Sequence, residues 1–97
     1  MIKAKTVASL FRYPKRWCKG DYAKNKEKVG IDVYDADACS WCLEGAIKKV
    51  YPDNPDRILE KLSKLINSNL FGAIPNWNDK PKRTFEQVKA LVIKAGI

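Results

Sequence analysis

The chain of 97 residues is 45% hydrophobic and 31% charged with a formal net charge of +8, a length and composition that suit one folded domain with one modest core. It contains no histidine, which removes the commonest general base and metal ligand, and its three cysteines cannot complete an internal disulfide framework. No apolar run nears the ~20 residues that span a bilayer, and lysines interrupt the stretch where an export signal needs an apolar core, so the expectation is a reducing cytoplasm with no membrane span.

In chain order, residues 3–13 predict a short helix with Val7, Leu10 and Phe11 as its apolar stripe, ended by Pro14. Arg12 to Lys19 then mixes four cations with Tyr13 and Trp17, the combination that binds single-stranded nucleic acid when cations track phosphates and aromatics stack on bases. The favoured reading of Trp17 is nonetheless a core anchor, with the Lys and Arg stems draped outward. Residues 1–30 hold nine Lys and Arg against Asp21 and Glu27, whereas residues 31–97 hold ten against nine acids. Nearly all the excess positive charge therefore lies in the first third, which suggests either an acidic partner or a need for solubility.

Residues 21–33 predict a β-hairpin in which Tyr22–Lys24 and Ile31–Val33 flank a polar loop, Asn25 to Gly30. Residues 36–51 predict the central helix, because Cys39, Cys42, Leu43, Ala46, Ile47 and Val50 fall on one face, with Asp35 as its cap and Pro52 as its stop. Asp53-Asn-Pro-Asp opens a further amphipathic helix over 55–69, with Gly72 as a terminator. Residues 73–83 contain two prolines and predict a loop, and Thr84 with Gln87 forms a capping box for a closing helix over 85–95.

Three constellations invite a chemical reading. Cys39-Ser-Trp-Cys42 has redox or half-zinc spacing, but a zinc site needs four ligands and only Cys18 remains. Both sulfurs are expected on the buried helical stripe as small core hydrophobes, so no metal and no cofactor are implied. Gly45 inside the helix costs about 1 kcal/mol relative to alanine, and is expected to admit another backbone at close range. Trp41 is expected to cover a neighbouring loop. The third constellation is Trp77-Asn78-Asp79 followed by Arg83 and Thr84. It reads as turn and cap chemistry, with Asp79 pairing to Arg83 or capping the next helix. The functional alternative is a ligand cleft beside Trp77.

The order Trp17-x-x-Gly20-x-x-Ala23, Asp37-Ala38-x-x-Trp41-Cys42-Leu43-x-Gly45-Ala46 and Trp77-Asn78-Asp79-x-Pro81-x-Arg83-Thr84-x-x-x-Val88 resembles a family of short proteins of unknown function found in bacterial, prophage and phage genomes. The resemblance covers roughly residues 16 to 95 and implies a compact, mostly helical domain carried by mobile genetic elements. It brings no chemistry with it. If the motif marks a fold-specific core, Trp17, Gly20, Trp41, Cys42, Gly45, Trp77, Asn78, Asp79 and Thr84 cluster; if it marks a site, they line a cleft.

The expected architecture is one mainly α domain over residues 1–97, with four helices packed around the helix at 36–51 and a small β-hairpin. The expected function is non-enzymatic binding of nucleic acid, or of a nucleic-acid-handling complex, through Arg12, Lys15, Arg16, Lys19, Lys24, Lys26 and Lys28. The alternative is a protein–protein inhibitor or adaptor whose basic face docks on an acidic protein surface. An enzyme is the weakest reading; without histidine it would depend on Asp79, Asp32, Tyr22 or a perturbed lysine.

Overall fold

Thr6 opens the first helix, α1 (Val7–Leu10), through a reciprocal cap. The Ser9 N–H donates to the Thr6 hydroxyl at 3.0 Å and the Thr6 N–H donates to Ser9 Oγ at 3.3 Å. The structure is a computed structural model that describes residues 2–67 and 72–97. Because the helix begins only after that cap and ends at Leu10, α1 is far shorter than the predicted 3–13, and Pro14 opens a separate 3₁₀ turn, Pro14–Arg16.

Two short strands follow, β1 (Ala23–Lys24) and β2 (Ser40–Trp41), antiparallel with Ala23 opposite Trp41 and Lys24 opposite Ser40. The predicted turn over Asn25–Gly30 forms. Asn25 N–H donates to the Val29 carbonyl, and the Asn25 side chain accepts from the Glu27 and Val29 N–H groups. The ladder partner of β1 is β2, however, and not the predicted Ile31–Val33. The return arm pairs only through a Lys24–Gly30 bridge and the Ile31 N–H donating to the Ala23 carbonyl. On the far side of β2, Trp17 bridges Trp41 in parallel and the Cys18 N–H donates to the Trp41 carbonyl at 3.0 Å. Residues 17–18, 40–41, 23–24 and 30–31 thus lie side by side.

The central helix is α2 (Leu43–Val50), which packs on α1, on β2 and on α3 (Pro55–Leu65) and α4 (Ala73–Asp79). It is half the predicted 36–51. Asp32 and Asp35 each fold back on the N–H two residues on, at 2.8 Å, and these local turns compete with helix through residues 32–37. Pairing with β1 then draws Ser40 and Trp41 into a strand, and the helix starts only after Cys42, whose Sγ accepts the Gly45 N–H at 3.3 Å. Trp41 is fully buried, its indole N–H donating to the Val33 carbonyl at 3.1 Å.

Gly45 meets its expectation: a Cβ built there would stand 1.9 Å from the Tyr22 carbonyl oxygen. The helix α3 ends at Leu65 and not 69, with Asn67 left-handed at φ 58°; residues 68 and 69 lie outside the described residues. Gly72 does not terminate α3 but caps the N-terminus of α4 at φ 77°. That fourth helix occupies much of the predicted 73–83 loop. Pro75 sits in its first turn, where an N–H has no intrahelical partner to lose. The closing helix α5 (Phe85–Ala95) has the predicted bounds and capping box. Among the described residues no helix is long and apolar enough to cross a membrane.

Candidate nucleic-acid interface

The 3₁₀ turn, the extended residues 17–19, β1 and its turn, and the chain entering β2 enclose a groove of about 820 Å³. Its walls carry six of the seven candidate cations, Lys15, Arg16, Lys19, Lys24, Lys26 and Lys28, together with Trp17, Cys18, Asn25, Cys39 and Ser40. None of the lining residues is acidic. Lysines and arginines spread over fourteen positions, 15 to 28, converge because β1 folds back beside residues 17–18 through their shared neighbour β2.

Neither Arg12 nor Tyr13 lines the groove; both directly precede the 3₁₀ turn that supplies Lys15 and Arg16 to it, and this edge is its rim. The Arg12 guanidinium lies 5.5 Å from the centroid of Tyr13, whose ring also carries Arg16 at 5.1 Å and Lys15 at 5.7 Å. Tyr13 is 42% exposed. Some cations are held in place. Lys19 Nζ donates to the Lys80 carbonyl at 2.6 Å, Arg16 Nη1 donates to the Leu10 carbonyl at 3.4 Å, and Lys24 lies 4.0 Å from Asp21. Lys26 and Lys28 are exposed and in no ion pair among the described residues. Sequence spacing carried no sign of the opposite wall, Cys39 and Ser40, because that wall depends on a strand pairing across fifteen residues of chain.

Part of the motif, Trp17, Gly20, Asn78 and Asp79, is joined by hydrogen bonds, while Trp77, Arg83 and Thr84 are engaged with one another and with α5. Asn78 is fully buried, and its Oδ1 accepts the Trp17 indole N–H at 2.6 Å and the Leu43 N–H at 3.0 Å. Its Nδ2 donates to the Cys18 carbonyl at 3.1 Å and to Asp79 Oδ1 at 2.9 Å. Asp79 Oδ1 also accepts the Gly20 N–H at 3.1 Å, where Gly20 turns at φ 88°. One asparagine thus ties α4, the start of α2 and the floor of the basic segment together. No ion pair joins Asp79 to Arg83 among the described residues, contrary to expectation. Arg83 instead stacks on Trp77 at 3.7 Å and donates from Nε to the Trp77 carbonyl at 2.9 Å, while Thr84 caps α5. Trp17 is half-buried against the core.

Beside this hub is a cavity of about 330 Å³ lined by Gly20, Asp21, Tyr22, Cys42, Pro75 and Asp79. The Glu44 carboxylate pushes the Tyr22 hydroxyl up, Asp79 is occupied by two donors, and burial pushes the Cys42 thiol up to about 12. Asp32 is outside the cavity, engaged by the Tyr34 N–H. Cys39 and Cys42 are not on a helical stripe: they flank β2, and an odd separation along extended chain sends their side chains to opposite faces. Among the described residues no group of three or more His, Cys, Asp or Glu could hold a metal ion.

A thiol titration at about pH 8 is expected to find half-buried Cys39 reactive in the native protein and Cys18 slower, because burial pushes the Cys18 thiol up and its S–H donates to the Asp21 carbonyl. Cys42 should become reactive only in denaturant, because the thiolate is the nucleophile and burial suppresses it. Three fast native thiols would contradict the buried cap.

A family model described as a family of unknown function (DUF6197) matches residues 6–96. A search of curated proteins and a search of solved structures each gave no match.

Proposed function

The chain belongs to this family of unknown function (DUF6197), and from that premise we propose that it is a small, basic, non-enzymatic binding protein whose groove holds nucleic acid. The observation that carries the reading is the convergence of Lys15, Arg16, Lys19, Lys24, Lys26 and Lys28 on one concave surface with no acid in its wall. Cations held at fixed positions against backbone carbonyls lose little freedom when a phosphate arrives, and each phosphate neutralised releases condensed counterions. The tight turn adds support. Lys28 is left-handed at φ 65°, a conformation that costs a non-glycine residue about 1 kcal/mol and that a glycine or asparagine would adopt more easily, yet a cation stands there beside the groove.

The protein would act in the cytoplasm, as a product of a phage, a prophage or their host. The competing partner, an acidic protein surface, draws on the same charge but not on the concavity of the groove.

Lys26→Ala tests the reading with little risk to the fold, since Lys26 is exposed. It should weaken binding of a labelled oligonucleotide about threefold to tenfold at low salt and flatten the salt dependence by about one phosphate contact. Unchanged nucleic-acid affinity in this variant, or capture of an acidic host protein that survives nuclease treatment while no oligonucleotide binds, would overturn it.

A further inference from the structure

We infer that the groove and its rim select single-stranded over double-stranded nucleic acid, with Tyr13 as the platform on which a base stacks; this inference rests on the nucleic-acid reading above. Sequence spacing places both Tyr13 and Trp17 among the cations, but the Trp17 indole N–H is committed to Asn78 at 2.6 Å and its ring is half-buried against the core. Trp17 therefore belongs to the groove floor. Of these two aromatics Tyr13 is the exposed one, it makes no side-chain cap at the 3₁₀ turn it precedes, and three cations stand at 5.1–5.7 Å from its ring.

An unpaired strand presents alternating phosphates and bare base faces, and it is bound where cations flank an aromatic surface. A duplex hides its base faces and is read instead by a helix or ribbon inserted into a major groove about 12 Å wide. The basic face offers no such insert among its described residues. Its elements are a 3₁₀ turn of 3 residues, strands of 2 residues and a turn, arranged as a concavity. A double helix laid across it reaches only the rim cations, whereas a flexible strand with a base on Tyr13, outside the wall, enters the groove at Lys15 and Arg16 and follows it towards Lys24, Lys26 and Lys28.

The test is fluorescence anisotropy at low salt with labelled oligo-dT and oligo-U of about 12 nucleotides, within the span typical of single-strand sites, against a blunt DNA duplex of equal length. The expected result is single-strand binding at least about tenfold tighter than duplex binding, with the two single-strand arms reporting whether DNA or RNA is preferred. Tyr13→Ala should weaken the single-strand arms by at least about fivefold while leaving duplex binding and its salt slope unchanged, and Tyr13→Phe should restore them. Circular dichroism of the variants checks that the fold persists, as expected for an exposed ring. Duplex binding as tight as single-strand binding, or a Tyr13→Ala variant that loses neither or both alike, overturns this inference and leaves the groove reading standing. No binding in any arm overturns both.

Discussion

Gly45→Ala is expected to destabilise the protein by at least about 3 kcal/mol, lowering its melting temperature by more than about 12 °C, although alanine is the better helix former by about 1 kcal/mol. The new methyl would lie 1.9 Å from the Tyr22 carbonyl oxygen and 2.8 Å from its carbon. Relaxation is blocked from two sides. The Tyr22 carbonyl accepts the Cys42 N–H at 3.2 Å, and Ala23, the next residue, is fully buried opposite Trp41. Moving Tyr22 away thus breaks the strand pairing that forms one wall of the groove. Gly20→Ala serves as the contrast: nothing lies within 4 Å of its Cβ and only the φ of 88° resists, so it should cost about 1 kcal/mol. Thermal denaturation of the two variants side by side decides it, and equal melting temperatures would remove the close approach from the account.

Asn78→Leu should cost about 3–5 kcal/mol, because it leaves the Trp17 indole N–H, the Leu43 N–H and the Cys18 carbonyl without the partner that each has in the native fold. A buried donor left unsatisfied forfeits its hydration for nothing, which is dearer than the net worth of the bond. The distinguishing signature is that the loss reaches the groove. With the Asn78 bonds gone, residues 17–18 lose their tie to α2 and α4, so oligonucleotide binding should weaken in the population that remains folded. Urea denaturation and a binding titration on one preparation measure both effects. A variant within about 1 kcal/mol of the parent would show that Asn78 is not the hub.

Where local chemistry decided the outcome, it could be read from residue order. Thr84 and Gln87 set the start of α5 through a contact three residues long, and Gly45 signalled a close approach because nothing else justifies glycine in that helix. The helix at 36–51 was over-read for a definite reason. A strand at Ser40–Trp41 followed by a helix at Leu43 buries nearly the same positions as one continuous helix, and the pairing that separates the two cases lies at Ala23. The helix α4 was missed because Pro75 reads as a breaker unless it is known to lie in a first turn. Asn78 reads as turn chemistry in the sequence, since a side chain that bonds three groups from two distant segments, and its neighbour Asp79, leaves no trace in spacing. The candidate site divides in the same way. The cations of the first third are plain in the composition, but their shared groove depends on β2, and the bond that anchors Trp17, as the sequence reading favours, depends on Asn78.

The salt dependence of oligonucleotide affinity tests the central claim most directly. With about five phosphates neutralised on a single strand, the logarithm of the association constant should fall with a slope of about −3.5 against the logarithm of salt, roughly a hundredfold loss between about 50 and about 200 mM. An affinity that stays flat across that range, or no binding at its lower end, would contradict a phosphate-holding groove.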